Sequence, residues 1–184
     1  MRFIRKLLLL ASLFALTACG FQLRGLTAPL APLPFASVYL DGQGAVMSEL
    51  GKALARDPRL TVATSAAQAE VVLRLSDEAS AKDILTINRA GRVNEYLLTL
   101  RVTAELLRGG ERYGEPRTVI VRRRLAYFDS AVLAKEEEES FLWRDMRRDA
   151  ADQLARSLAY MKPLPAAAQQ SLKPAVPRDA QPVR

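Results

Sequence analysis

The 184-residue sequence contains no histidine and one cysteine, and these two shortages remove most of the common catalytic and metal-binding arrangements. Without histidine there can be no Ser-His-Asp triad, no Cys-His pair and no zinc site that uses imidazole. With Cys19 as the single cysteine there can be no disulfide within the chain. Chemistry based on carboxylates stays open, but the composition favours a binding or structural protein and predicts no catalytic residue, metal ligand or cofactor.

The first residues carry the most specific signal in the chain. Three basic residues within positions 2–6 precede an apolar run over 7–16, and small residues then lead to Cys19. This order is typical of a secretory signal, and the run is shorter than the ~20 residues that span a bilayer. The stretch Leu-Thr-Ala-Cys at 16–19 resembles a bacterial lipobox, whose cysteine becomes the lipidated first residue of the mature protein. The alternative is an ordinary signal peptide in which the cysteine occurs by chance.

We therefore predict that residues 1–18 are cleaved off and that acyl chains on Cys19 hold the protein on a membrane. Gly20 follows the cysteine where an aspartate could stand, which resembles the sorting pattern of outer-membrane lipoproteins. Without the signal, 24 basic residues face 20 acidic ones, so the net charge is +4 and not +7. For an exported protein this charge points to anionic lipid, a polyanionic glycolipid or an acidic partner, and nucleic acid is a weak alternative.

The rest of the chain divides into a tether, one domain and a tail. Three prolines before residue 35 predict an extended tether over 19–35, because proline blocks helix and keeps the preceding residue extended. Residues 163–184 are rich in proline, alanine and glutamine and are predicted to be disordered. Residues 36–162 are long enough for a single domain with a modest core.

Hydrophobic periodicity within the domain predicts the element order β-α-β-β-β-α. The clearest strand is 96–106, where apolar residues alternate with mostly polar ones, as in an antiparallel strand with one solvated face. Residues 76–83 are predicted to be a loop or an irregular strand edge. Apolar stripes predict a helix over about 46–57 and a long helix over about 135–161. The fold class is α+β, a two-layer sandwich with both helices on one face of a small, mostly antiparallel mixed sheet of about four strands.

Three basic features are candidate binding residues, and each has a plain structural alternative. Arg89 and Arg92 lie in a predicted loop tip, which a solvated hairpin turn explains. Lys135 precedes four glutamates at the start of the long helix, where the helix dipole disfavours a cation; the alternative is an ordinary surface lysine. The run Arg122-Arg123-Arg124 lies on a predicted strand and could simply be an outward face of snorkelling side chains.

The stretch Cys-Gly-Phe-Gln-Leu-Arg-Gly at 19–25 is similar to the start of the mature lipoproteins of the LptE family, which assemble lipopolysaccharide at the Gram-negative outer membrane. The element order and the tail agree with this resemblance. The resemblance implies two helices on one side of a small mixed sheet and a non-enzymatic role. It also implies two partners besides the outer membrane: lipopolysaccharide, and the outer-membrane β-barrel LptD, whose lumen the family plugs and whose assembly it supports.

The resemblance also implies roles for individual cations. Arg89 falls in an Arg-x-Gly turn and Lys135 in a Leu-Ala-Lys segment, and both match the family's pattern of basic residues that contact lipopolysaccharide. Arg92 is the second cation of the same turn. A guanidinium binds phosphate in a bidentate manner and an ammonium acts as a compact point charge, so both suit the phosphates of lipid A and the inner core.

The barrel interface is expected on the polar face of the sheet. Arg101, Arg122 and Arg124 belong to this face, and a water-lined barrel interior is itself polar. Phe128, in the loop after the last strand, is an expected apolar anchor in that interface. A side chain that covers the end of the core would explain Phe128 as well.

Two other functions stay open at this point. One is a periplasm-facing outer-membrane lipoprotein that scaffolds a different envelope complex. The other is an enzyme that uses paired carboxylates, either Asp77 with Glu78 or Asp145 with Asp149. For the second pair a solvated, salt-bridged helix face is the better explanation, because arginines surround both aspartates.

Overall fold

The computed structural model describes residues 31–128 and 132–163. The predicted signal, the lipidation site, most of the tether and nearly all of the tail therefore lie outside the described residues. The elements, in chain order, are β1 (Ser37–Asp41), α1 (Ala45–Ala55), β2 (Thr61–Ala63), a 3-10 turn (Ala66–Gln68), β3 (Val71–Ile87), β4 (Val93–Arg108), β5 (Glu111–Arg112), β6 (Arg117–Ala126) and α2 (Val132–Leu158).

The described strands form one mixed sheet with both helices on one face, so the predicted α+β sandwich is confirmed. β1 lies between β2 and β3 and is parallel to both, whereas β4 is antiparallel to β3, β5 and β6. The sheet has six strands and not about four. The difference arises because β2 and β5 have three and two residues, too few to show an alternating pattern.

β3 is longer than its sequence suggests. Residues 76–83 are not a loop. They form an irregular stretch of strand that, among the described strands, pairs with β4 alone and continues to Ile87, with a β-bulge between Leu75 and Asp77. Beyond the bulge most side chains of β3 are exposed, so burial imposes no apolar alternation there. Hydrogen bonding to β4 holds this half of the strand in place.

The core lies between the helices and the inner face of the sheet. α2 begins at Val132 and ends at Leu158, three residues earlier at each end than predicted. Gly51 lets α1 approach β1 closely, since a Cβ at this position would lie 2.9 Å from Cδ1 of Leu40. The largest fully buried side chains come from both layers: Val38, Val46, Leu50, Leu54, Leu73, Leu98, Leu100, Leu106, Leu125, Met146, Leu154 and Leu158.

The last residues of the predicted tether pack against the domain. Phe35 is buried, and the carboxylate of Glu70 accepts hydrogen bonds from the backbone of Ala36 (2.9 Å) and from Arg108 (2.8 Å). Arg108 also donates to the carbonyl oxygen of Pro34, again over 2.8 Å. These contacts fix the place at which the chain joins the sheet.

Gly114, between β5 and β6, offers a test of how the end of α2 docks. It has φ +78, and a Cβ there would lie 2.7 Å from the carbonyl oxygen of Lys162. Gly114→Ala should lower the free energy of unfolding by more than the ~1–2 kcal/mol that a left-handed backbone costs an alanine, as measured by urea denaturation. The matched control is Gly110→Ala, because Gly110 has φ +82 and nothing within 4 Å of the added Cβ. Equal losses in the two variants would contradict the contact with Lys162.

Candidate functional site

The tip of the β3–β4 hairpin carries the first predicted cation. The side-chain oxygen of Asn88 accepts hydrogen bonds from the backbone of Ala90 (2.9 Å) and Arg92 (3.1 Å), and Gly91 adopts φ +74 to close the turn. Arg89 lies in this turn with an exposed side chain, and among the described residues nothing forms an ion pair or hydrogen bond with its guanidinium. Its charge is therefore available to a ligand.

Lys135 lies near the start of α2, beside the end of β6. Its Nζ is 5.3 Å from the centre of the Phe128 ring and 2.7 Å from Oε2 of Glu138. The Lys135 side chain is 15% exposed, whereas Phe128 is 54% exposed. Because α2 begins at Val132, the four glutamates lie in its second turn, beyond the first turn in which the dipole acts most strongly.

Strand pairing brings these two cations to the same end of the molecule. Ala126, near the end of β6, pairs with Glu95, which follows the hairpin turn by a few residues. Tyr127 then donates a backbone hydrogen bond of 2.9 Å to Asn94. The turn with Arg89 and the end of β6 thus lie at the same end of the sheet, an arrangement that sequence alone does not reveal.

An ion pair fixes the first part of α2 against the hairpin. Nζ of Lys82 lies 2.5 Å from Oε2 of Glu139 and 4.5 Å from the centre of the Tyr96 ring. Nε1 of Trp143 donates to the other oxygen of Glu139 over 3.2 Å. Burial alone would raise the pKa of the Glu139 carboxyl, but the hydrogen bonds from Lys82 and Trp143 outweigh it and the pKa is lowered. Glu139 therefore stays ionised and keeps α2 in place.

The sheet face opposite the helices carries the residues predicted to meet the barrel. Nε of Arg101 lies 3.0 Å from Oδ2 of Asp77, and the hydroxyl groups of Thr103 and Thr118 are 2.9 Å apart. The side chains of Arg122 and Arg124 are exposed, and neither forms an ion pair with a described carboxylate. The register places these arginines on one face: Arg101, Arg122 and Arg124.

Arg123 interrupts the apolar alternation of β6 because its side chain reaches α2. Its Nη2 lies 2.9 Å from Oδ2 of Asp149 and 3.5 Å from Oδ2 of Asp145. Hydrogen bonds from Gln153 and Arg123 lower the pKa of the Asp149 carboxyl despite its partial burial. The carboxylate pair considered for catalysis thus joins sheet to helix. The contact with Arg123 could not be predicted from the sequence, because Arg123 is 22 residues from Asp145 and 26 from Asp149.

Two further observations concern the described residues as a set. Within residues 31–128 and 132–163, no group of three or more acidic or cysteine side chains is arranged to hold a metal ion. In the same ranges no helix combines the length and the apolar character needed to cross a membrane.

The fold and the site define a small α+β binding protein with a basic end and a polar sheet face. Comparison with known proteins makes the class specific: the family model described as "LptE: Lipopolysaccharide-assembly" matches residues 35–158. The chain belongs to the LptE family, a non-enzymatic family of lipopolysaccharide-assembly lipoproteins. The predictions of family, of a role in lipopolysaccharide assembly and of a protein that is not an enzyme are confirmed.

Individual relatives agree with this assignment. The LPS-assembly lipoprotein LptE of Pectobacterium atrosepticum is 32% identical over 146 residues, which cover 76% of each chain. That of Yersinia enterocolitica is 33% identical over 162 residues, covering 84% of this chain and 75% of the relative. The solution structure of lipoprotein B from Nitrosomonas europaea superposes with a TM-score of 0.64 at 30% identity, covering 76% of this chain and 90% of that one. These lipoprotein relatives support a membrane-associated protein of the cell envelope.

The Arg123–Asp149 contact predicts how stability depends on pH. Asp149→Asn should lower the free energy of unfolding by about 1 kcal/mol near neutral pH, because it weakens a charge-assisted hydrogen bond at a partly exposed site. The pKa of Asp149 is lower in the folded state, so its stabilisation is complete above the unfolded pKa near 3.8 and is lost as pH falls through the folded pKa.

Urea denaturation of wild type and variant at neutral pH and below about pH 3 measures this dependence. The difference between the two proteins should shrink in acid. Lipopolysaccharide assembly at matched protein levels should be unchanged by Asp149→Asn together with Asp145→Asn. Loss of assembly with a stable fold would restore the enzymatic alternative.

Proposed function

We propose that this chain is an outer-membrane lipoprotein that plugs the lumen of the LptD β-barrel, helps the barrel to assemble and binds lipopolysaccharide on its way to the cell surface. The observation that supports this most is the presence of Arg89 and Lys135 at one end of the sheet. A separate polar face is left for a protein partner. Family membership supports the general role, and the two surfaces suggest how it is divided.

The basic end suits the phosphates of lipopolysaccharide. Arg89 is exposed and its guanidinium can form two parallel hydrogen bonds to a phosphate. Lys135 is paired with Glu138, so a phosphate would have to replace or share that carboxylate as its partner. Arg92 adds a second guanidinium in the same turn. We therefore assign the stronger contribution to Arg89 and a supporting one to Lys135.

The outer sheet face suits the inside of a barrel. Arg101, Arg122 and Arg124 lie on it with threonines between them, and a polar lumen can provide hydrogen-bond partners for such a face. Phe128 projects at the edge of this region with half of its surface exposed, and could insert into an apolar part of the barrel wall. Attachment to the outer membrane would follow from lipidation of Cys19, with Gly20 as the sorting residue; both lie outside the described residues.

Affinity purification from outer membranes tests the lipopolysaccharide site. The tagged lipoprotein should recover a large barrel protein as wild type, as Arg89→Asp and as Lys135→Asp. Bound lipopolysaccharide should fall about tenfold or more in Arg89→Asp, because at least one charge-assisted hydrogen bond is lost and a repulsion replaces it. Lys135→Asp should show a smaller loss.

The matched control is Lys52→Asp, an equal charge reversal at a 61% exposed lysine on α1, in the half of the domain away from the hairpin tip. It should leave bound lipopolysaccharide unchanged. Unchanged lipopolysaccharide in Arg89→Asp would contradict the assigned site. Absence of a barrel from every sample would contradict the plug and favour the alternative, a scaffold for another envelope complex.

The barrel interface has its own test. Arg122→Asp combined with Arg124→Asp should reduce the recovered barrel several-fold, since two unpaired cations of the outer face become anions. The free energy of unfolding should change little because both side chains are exposed. The control replaces the same two arginines with lysine, which keeps the charge. Full barrel recovery in the double aspartate variant would exclude this part of the face from the interface.

A further inference from the structure

Exposed apolar side chains are concentrated at the end of the molecule that carries Arg89 and Lys135. The described residues expose ten large hydrophobic side chains, and six of these lie either at the end of β3 or on the two sides of the start of α2. We call these six the apolar end patch: Ile84, Leu85, Ile87, Phe128, Val132 and Leu133. Scattered exposed hydrophobics need no explanation, but their concentration at one end of a molecule indicates a binding surface.

The end of β3 and the start of α2, which carry most of the patch, reach similar distances toward the hairpin tip. Lys82 of β3 contacts Glu139 of α2, and both elements extend from this contact toward the hairpin tip. Ile84 follows Lys82 on the same strand face, about 7 Å further along at the strand rise. Leu133 precedes Glu139 by about 9 Å at the helical rise. Both are well exposed, Ile84 at 60% and Leu133 at 79%, so the start of α2 does not cover the strand here.

The charges around the patch indicate what it binds. Arg89 lies in the turn directly after Ile87, and Nζ of Lys135 is 5.3 Å from the centre of the Phe128 ring. A purely apolar pocket of another protein would gain nothing from cations at its rim. A molecule with acyl chains beside phosphate groups would match both the apolar side chains and the cations.

We propose that the apolar end patch binds acyl chains of lipopolysaccharide while the phosphates of the same molecule contact Arg89 and Lys135. This inference rests on the proposed function, which names the phosphate contacts alone. It adds a preference: the site should bind acylated lipopolysaccharide more tightly than the same glycolipid without its acyl chains. The cations would contribute affinity for both the acylated and the deacylated glycolipid. The patch would account for the difference between the two affinities.

The experiment compares two ligands on the lipidated protein, purified with its co-purifying partners and placed in lipid nanodiscs. The ligands are labelled lipopolysaccharide and the fully deacylated glycolipid that keeps its phosphates. Wild type should prefer the acylated form by about tenfold or more, the gain expected from burying one or two aliphatic groups. The double variant Ile84→Ser with Leu133→Ser should lose this preference and bind the deacylated form as wild type does.

Two controls accompany the double variant. Tyr160→Ser removes a 71% exposed aromatic side chain just beyond the other end of α2 and should keep the preference. Arg89→Asp should weaken binding of both ligands. Because Ile84 and Leu133 are exposed, the double variant should also unfold at the same urea concentration as wild type.

The outcomes separate this inference from the function on which it rests. Equal binding of the two ligands by wild type, or an unchanged preference in the double variant, would overturn the acyl-chain site and leave the phosphate contacts standing. Failure of wild type to bind either ligand would overturn the proposed lipopolysaccharide site and this inference together. Loss of the barrel from the double variant, with the preference intact, would make the patch a protein contact and overturn the inference.

Discussion

Strand β4 is the element on which the rest of the structure depends, because it pairs with β3 on one side and with β5 and β6 on the other. Its inward side chains are apolar and its outward ones mostly polar, so a shift by one residue would expose the whole apolar set. That cost fixes the register of three neighbouring strands. The hairpin tip and the end of β6 are in turn placed by this register.

The same logic explains how much the sequence could predict. β4 and α2 were predictable because burial gives each a regular apolar pattern, and Arg101, Arg122 and Arg124 could be assigned to one face by alternation. The exposed half of β3 and the two shortest strands have no such pattern. The location of Arg89 and Lys135 at the same end of the sheet depends on the pairing of Ala126 with Glu95, and the contact of Arg123 with Asp149 joins two elements. Local sequence cannot predict either, and it cannot distinguish an exposed Ile84 from a buried one.

The described surface separates two kinds of chemistry that an assembly protein needs. The outer face of the sheet offers arginines and threonines side by side on neighbouring strands, which suits a broad protein contact. The end of the hairpin offers cations next to aliphatic side chains, which suits a small region of an amphiphilic molecule. Apart from Phe128, which is assigned to both, the residues of one surface can therefore act without touching the other. The shortage of catalytic side chains fits this division, because holding two partners requires position and charge and no bond-making group.

The contacts of Glu70 with Arg108 and Ala36 lie at the opposite end of the β3–β4 hairpin from Arg89. They hold the chain directly before the first residue of β3, and Arg89 lies two residues after the last one. At about 3.3 Å per residue the 17 residues of β3 separate these two points by roughly 55 Å. The length of the hairpin thus sets the distance between the place where the chain joins the domain and the place where its cations act. This distance can change only in steps of two residues per strand. Removing two residues from each strand would move Arg89 about 7 Å without turning any side chain to the opposite face.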